Sequence, residues 1–485
     1  MNTKVISYLL GKISVLMGMA QLINLGLALY YGESCYVQFI VSILLAVGLG
    51  YGLQYYGRDA THKEISVREG IGTVFFAWIL AAGLASVPFV LLQVLDPVSA
   101  YFEAMSGLTT TGATSISDLE VLPKSLLFWR AMNHWIGGIG IIVIFVALLP
   151  SMSGTAVYLY NAEVTGFSNS RILPRIRTTA IALFYIYLLL TIILTGILRG
   201  MGMSVYDAVY HACSCIATGG FSDYNTSVAH FKSPMIEYAL SIFMVLAAGN
   251  FAVYYQVAQN GVKALWQDLE FKVYVVMVLC FTLAIAVNII LVNGYSLEGG
   301  FRSALFHVST IVSSTGFAAG KFDFVAWGPM YWMPTLLLMA IGACAGSTGG
   351  GIKVLRILIC AKSIIGEFVM QLHPKAILGI RVSGQIVASN HVRRALAYVV
   401  LFVVLVAAGT MLLSFMGCDV DTGLGSCISM LSNIGPGTGT TGPSSNFAHL
   451  PAASKWLLSF YMLIGRLEFF TVLFLFMPRF WKERK

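Results

Sequence analysis

Four short runs of small and hydroxylated residues, each ending in glycine, have the makings of an ion site: Thr109-Thr110-Thr111-Gly112, Ile216-Ala217-Thr218-Gly219, Ser313-Ser314-Thr315-Gly316 and Ser432-Asn433-Ile434-Gly435. An extended segment of this kind can turn its backbone carbonyls inward and replace the water shell of a cation. Glycine permits the backbone angles such a turn needs. Any one run taken singly reads as an ordinary turn. Together they do not, because the four glycines are separated by 107, 97 and 119 residues, a long-period self-similarity that marks an internal repeat.

Two further features carry chemistry. The run Gly342-Ala343-Cys344-Ala345-Gly346-Ser347-Thr348-Gly349-Gly350-Gly351 falls in the middle of an apolar segment. Each glycine costs a helix about 1 kcal/mol relative to alanine, and five within ten positions exceed what close helix packing through small residues requires. The spacing predicts an unwound loop at membrane depth. Arg466 stands among Leu463, Ile464, Leu467, Phe469 and Phe470. A charge there costs roughly 2.5–3.5 kcal/mol even on the lenient insertion scale, so it should face a cavity. Glu468 is two residues away, which on a helix is a different face. A pair within the helix is therefore not expected.

The elements that must position these groups follow from composition. The chain has 485 residues, 58% hydrophobic and 10% charged, against roughly 45–50% and about 25% in soluble domains. That excludes an ordinary soluble globular protein. Apolar runs near the length of about 20 residues that a bilayer demands lie at 5–30, 36–57, 71–95, 125–150, 178–199, 234–258, 272–293, 328–369, 394–416 and 455–478, the eighth being too long for one helix. The first is also too long for a signal peptide, so it reads as a retained helix.

Threading from a cytoplasmic N-terminus places 1–12, 58–70, 151–177, 259–272, 353–394 and 479–485 inside, with 21 of the 29 Lys and Arg. Seven (Lys124, Arg130, Arg199, Lys232, Arg302, Lys321, Lys455) fall on the other side. This is the positive-inside pattern for ten crossings with both ends cytoplasmic, and it accounts for the net charge of +8 without a nucleic-acid partner.

Short, weakly polar helical stretches near 99–110, 205–217, 302–314 and 422–433 precede the four turns. The expected fold class is an all-α polytopic membrane protein. It begins with an N-terminal hairpin at 1–57, followed by four helix, half-helix, helix repeats at 71–150, 178–258, 272–369 (second helix broken) and 394–478, and a basic tail at 479–485. All four repeats start inside and dip from outside, so they are parallel rather than inverted. Parallel units around an axis make a central pore. Non-helical backbone at membrane depth must be buried or line a watery cavity, and the half-helices would aim their partially negative C-terminal ends at a cation there.

Other motifs are weaker. The 8 cysteines lack metal-site spacing, with Cys213 and Cys215 two apart, and read as small apolar side chains. Gly435 to Gly442 looks like a phosphate loop but has no lysine in the Walker position. Ser347 has His307 and His373 on opposite sides, which argues against a protease nucleophile. His211 and His307, at the starts of half-helices, read as interfacial structural residues rather than metal ligands.

The motifs TTTGAT at 109–114, ATGGFS at 217–222, SSTGFA at 313–318, GACAGSTGGGIK at 342–353, GPGTGTTGP at 435–443 and GRLEFF at 465–470 occur in order. On these the whole chain resembles the TrkH/TrkG/KtrB family of bacterial potassium uptake proteins. The resemblance implies a K+ filter lined by the carbonyls of Thr110, Thr111 and Gly112; Ala217, Thr218 and Gly219; Ser314, Thr315 and Gly316; and Asn433, Ile434 and Gly435. Glycine at all four places favours K+ over Na+, since family members that admit Na+ often carry serine at the first. Ile434 departs from the Thr-Gly pattern. The resemblance further implies that the loop of Gly342, Gly346, Ser347, Thr348, Gly349, Gly350 and Gly351 obstructs the pore below the filter, and that Arg466 is an electrostatic barrier beside it. It implies an inner-membrane homodimer carrying K+, with Rb+ also accepted, and controlled by a cytoplasmic nucleotide-binding subunit, TrkA, with no cofactor bound by this chain and no catalysis. A K+/H+ or K+/Na+ symporter is the alternative, and would need a titratable or second ion site, for which Glu468 is the main candidate.

Overall fold

The computed structural model describes residues 2–60, 66–140, 176–319, 329–374 and 379–481. Most of the expected inner segment 151–177 and of the basic tail 479–485 lies outside the described residues, as does 141–150 at the end of the first repeat. Among the described residues the regular structure is helical apart from two short antiparallel strands, Arg381–Val382 and Gln385–Ile386.

The chain begins with helices Thr3–Tyr31 and Tyr36–Gly57, turned by Gly32 in the left-handed region. A Cβ on Gly11 would run into the Gly50 carbonyl, and one on Gly50 into the Gly11 carbonyl, so the two helices meet backbone to backbone. Their outer faces leave Leu22, Ile23, Leu44 and Leu45 exposed, a surface suited to lipid.

Four units of like element order follow. The first comprises Val67–Leu91, the half-helix Pro97–Leu108 and Lys124–Ile139. The second comprises Ile176–Gly200, the half-helix Val205–Ile216, then Pro234–Ala247 and Phe251–Asn260. The third comprises Leu269–Asn293, the half-helix Leu297–Val312, then Pro329–Ile341 and Val354–Leu372. The fourth comprises Ser389–Phe415, the half-helix Val420–Ser432, then Ala452–Leu467 and Phe469–Leu475. The half-helices are the inner layer: Phe102, Tyr210, Phe306 and Met430 on them are at most 1% exposed. The long first helices of the second, third and fourth units face outward, as exposed Leu189, Val287 and Val403 show, while that of the first unit is largely buried.

Among the described residues, six helices are long and apolar enough to cross a membrane. Two crossings expected to be single helices are instead bent pairs, by 92° between Pro234–Ala247 and Phe251–Asn260 and by 118° between Ala452–Leu467 and Phe469–Leu475. Each bend has partners for its freed backbone or side chain, as depth in a membrane demands. At the first, the Ala248 carbonyl accepts from the Cys344 amide at 3.0 Å and the Phe251 amide donates to Gly346 at 3.3 Å. At the second, Glu468 takes φ 62° and its carboxylate is held by Arg356.

Every half-helix is started by a side chain that accepts from its first-turn amides: Asp96 from Val98 and Ser99, Ser204 from Asp207, Ser296 from Gly299, and Asp419 from Thr422. The Ser99 and Thr422 hydrogen bonds hold the Asp96 and Asp419 carboxyls below the usual carboxylate range. A depressed folded pKa means stability that is present above the ordinary aspartate value and is lost as pH falls through the folded one. Asp419→Ala is expected to cost about 1 kcal/mol at neutral pH, read as a lower thermal midpoint in detergent, while Asp419→Asn retains most of the cap. The difference between the parent and the Asp419→Asn variant should shrink once the buffer is acidified below about pH 4.

Candidate ion filter and intramembrane loop

Each half-helix ends in the same way. Thr110, Thr218, Ser314 and Asn433 take left-handed φ values of 55°, 56°, 57° and 51°. Two hydrogen bonds close each end. The amides of Thr111, Gly219, Thr315 and Ile434 reach back to Ser106, Ser214, Thr310 and Ser429 at 2.9–3.0 Å, and those of Thr110, Thr218, Ser314 and Asn433 to Gly107, Cys215, Ile311 and Met430 at 2.9–3.3 Å. This is the double closure that helices normally complete with glycine. Here no glycine occupies the left-handed position, and β-branched threonine does so twice. Such a residue costs roughly 1–2 kcal/mol, and persists where the surrounding structure over-determines it.

Two residues beyond each left-handed residue comes a glycine with positive φ: Gly112, Gly220, Gly316 and Gly435, at 83°, 76°, 84° and 104°. The second turn is thus displaced by one residue from the alignment expected from sequence. Gly220, not Gly219, is the counterpart of Gly112; Gly219 matches Thr111, Thr315 and Ile434, and Ala217 lies one position before the left-handed residue. The doublet Gly219-Gly220 offers two glycines one position apart, and the left-handed Thr218 selects the second rather than the first expected from sequence.

The four turns close on one another. A Cβ on Gly112 would strike the Gly219 carbonyl oxygen, one on Gly220 that of Thr315, and one on Gly316 that of Ile434. One on Gly435 would come within 2.6 Å of the Thr111 carbonyl oxygen. Each glycine therefore abuts the carbonyl that precedes the glycine of the next turn, first to second to third to fourth and back to first. A cavity lined by Gly112, Gly220, Gly316 and Gly435, with Thr114, Ser222, Asn225 and Ser445, lies on one side of this ring. A second cavity, lined by Gly346 to Gly351, Lys353, Asn433, Arg466 and Glu468, lies on the other.

A family model described as "TrkH: Cation transport protein" matches residues 37–483. The chain belongs to the TrkH family. It is 33% identical over 496 residues to the Trk system potassium uptake protein TrkH of Halomonas elongata, and 31% identical over 491 residues to the Trk system potassium uptake protein TrkG of Escherichia coli K12, covering 100% of both chains in each case. It is also similar to the crystal structure of the potassium transporter TrkH from Vibrio parahaemolyticus, with a TM-score of 0.89 and 31% identity over 99% of this chain and 100% of that one. It is a multi-pass membrane protein of cation transport, and its relatives are named as transporters.

In this TrkH-family chain the glycine-rich run leaves the helix after Ile341 and re-enters it at Val354. It sits directly against the ring. The Gly350 amide donates to Ser314 Oγ at 2.8 Å, Thr218 Oγ1 donates to Thr348 Oγ1 at 3.2 Å, and a Cβ on Gly350 would collide with the Ser432 carbonyl. Three of the loop's residues singled out by sequence, Thr348, Gly349 and Gly350, thus touch the undersides of the left-handed residues or their neighbours; a Cβ on Gly349 would lie 2.8 Å from the Ser313 carbonyl oxygen. Gly346 instead receives the bend after Ala248, and Ser347 caps its own loop by donating to Cys344 at 2.7 Å.

Arg466 reaches the same loop from the fourth unit. Its guanidinium donates to the Thr348 and Gly138 carbonyls, each at 2.9 Å, and to that of Gly137. Glu468 pairs with Arg356 of the third unit rather than with Arg466. Arg356 and Lys353, counted with an inner loop in the sequence threading, line this buried cavity. Sequence reasoning also passed over Glu270. Its Oε1 accepts from the amides of Ala345 at 2.7 Å, within the loop, and of Leu355 at 3.0 Å, just after it. No motif marks it; the only signal is an acidic residue beside a long apolar run. His211 and His307, expected at the starts of half-helices, lie within Val205–Ile216 and Leu297–Val312 and are fully buried.

Proposed function

We propose that the chain takes up potassium through the ring of four turns, as a channel-like pathway whose filter is the carbonyl set around Thr110 to Gly112, Thr218 to Gly220, Ser314 to Gly316 and Asn433 to Gly435. The observation that carries this reading is the closed ring itself, in which each glycine leaves room only for the neighbouring carbonyl. Carbonyl rings of this kind replace the hydration shell of K+. The printed names of the relatives, potassium uptake proteins and a potassium transporter, agree with it. The loop from Gly342 to Gly351 is the gate below the filter, and Arg466 is a barrier to cations at that level.

No pump is needed in this chain for such uptake. A membrane potential supplies about 2.3 kcal/mol per elementary charge per 100 mV, enough for roughly fifty-fold accumulation. Symport is less well supported: Glu468, the acid it would use, is committed to Arg356. Assembly as an inner-membrane homodimer with both termini cytoplasmic, control by a cytoplasmic nucleotide-binding subunit of the TrkA kind, and acceptance of Rb+ belong to the same proposal, and rest on the family likeness alone.

The filter assignment is tested by Gly112→Ser and Gly316→Ser in purified full-length protein reconstituted into liposomes at an imposed voltage. A serine Cβ at either place displaces the Gly219 or Ile434 carbonyl. The K+/Na+ flux ratio should fall severalfold in both. An unchanged ratio in both folded variants would show that these carbonyls do not select the ion.

A further inference from the structure

The left-handed residues of the four turns are preceded, seven positions back on each half-helix, by Glu103, His211, His307 and Ser426. All four side chains are buried, and three of them hold the segment that follows the turn. The Glu103 carboxylate accepts from the Ser115 amide at 2.8 Å and from Thr114 Oγ1 at 3.1 Å. His211 Nε2 meets Ser222 Oγ at 3.1 Å, and Ser426 Oγ meets Thr441 Oγ1 at 2.9 Å. His307 Nε2 instead meets Thr335 Oγ1, on the helix that follows, at 2.9 Å. The first place holds a complete ion pair. Arg130 Nε donates to Glu103 at 2.9 Å, while its Nη1 donates to the Ser222 carbonyl at 2.9 Å and to the Tyr210 hydroxyl at 3.4 Å, with the guanidinium 4.0 Å above the Phe221 ring.

Arg130 is 1% exposed, and Ser222 follows Phe221 immediately after the Gly219-Gly220 doublet. One cation therefore joins the segment leaving the first turn, through Glu103, to the segment leaving the second, directly. The rigid guanidinium fork can hold these acceptors simultaneously, and a buried network of this kind is stiff when every member is satisfied.

We propose that Glu103 and Arg130 are positioning residues for ion selection: they set the spacing between the first and second turns, and His211 and Ser426 at the equivalent places brace the second and fourth turns. The inference rests on the filter reading given above. Neither side chain contributes a carbonyl to the ring. Their effect passes through the carbonyls of Thr111 and Gly219, whose close approach to the neighbouring glycines depends on where Thr114, Ser115 and Ser222 are held. Breaking one half of a buried pair leaves a lone charge and endangers folding, whereas removing both charges does not.

The decisive variant is thus the double Glu103→Gln/Arg130→Gln, purified full-length, checked for monodispersity, and reconstituted with parent protein at one imposed voltage. Separate K+, Na+ and Rb+ fluxes are read as ratios, which a loss of active protein alone does not move. The K+/Na+ ratio is expected to fall severalfold, and Arg130→Lys, which keeps the charge but loses the fork, should show a smaller fall. A parental ratio in the double variant overturns the proposal. If the double is not recovered folded, Ser426→Ala decides in the same way: a lowered ratio supports the brace, and a parental ratio overturns it. Gly112→Ser run alongside separates the two readings. If it alone lowers the ratio, the brace has failed and the filter stands; if it too leaves the ratio unchanged, the filter reading has failed first.

Discussion

Arg466→Gln is expected to raise K+ flux by about tenfold or more at a fixed voltage, because under the proposed function the side chain would oppose permeation in two ways. A fixed unit charge near a K+ ion costs about 4 kcal/mol at 4 Å with an effective dielectric of 20, and about 1 kcal/mol in water; a difference of about 1.4 kcal/mol is a factor of ten. The guanidinium also ties Thr348 of the loop to Gly137 and Gly138 at the end of the first unit. Glutamine removes the charge and most of that tie. Lysine keeps the charge but cannot reproduce a planar fork on several carbonyls, so Arg466→Lys should fall between glutamine and the parent. Since Glu468 has its own partner in Arg356, neutralising it should not rescue Arg466 variants. Equal flux through well-folded Arg466→Gln and parent protein would sink the barrier assignment.

Deleting residues 346–350 should increase flux still more strongly while leaving the selectivity order intact. The deleted stretch includes the groups that meet Thr218 and Ser314 beneath the ring and the carbonyl that Arg466 holds. What remains has no loop to fill the lower cavity. A gentler version acts on the loop's feet. Glu270 binds the amides of Ala345 and Leu355 with one carboxylate oxygen, and hydrogen bonds to a charged group are worth roughly 1.5–3 kcal/mol each against about 1 for neutral ones. Glu270→Gln should shift the gate towards open by about tenfold, and Glu270→Ala further. The check is the same liposome flux with K+, Na+ and Rb+ compared. A deletion protein that folds yet conducts less than the parent would mean that the loop supports the pathway instead of blocking it.

Much of this architecture is legible in the sequence because it rests on local signals. Glycine and small residues mark the turns, apolar runs mark the long helices, and the cluster from Gly342 to Gly351 marks the break in the third unit. Local signals fail where two alternatives differ by one residue, as at Gly219-Gly220, since either glycine satisfies the pattern and only the closure on Thr218 separates them. They fail again where a partner is remote. Arg130 reads as one of several outward basic residues, yet its ion-pair partner Glu103 is 27 positions away. Arg356 and Glu468 are 112 positions apart, and nothing near Glu468 announces that the last crossing will bend there. The break after Ala248 was equally silent, because its missing hydrogen bonds are supplied by residues near 344 and 346.

All four turns of the ring are encoded in one polypeptide, and this sets the increments in which the site can change. In a ring of identical subunits a single codon change alters every side at once. Here Gly316 can be replaced while Gly112, Gly220 and Gly435 stay as they are, so heritable variation arrives a quarter at a time. Isoleucine at 434, where the other turns have Thr111, Gly219 and Thr315, is a difference of that kind. Such a gene can drift through graded intermediates, each keeping three unaltered sides, towards an altered ion preference that four simultaneous substitutions would reach only by one abrupt step.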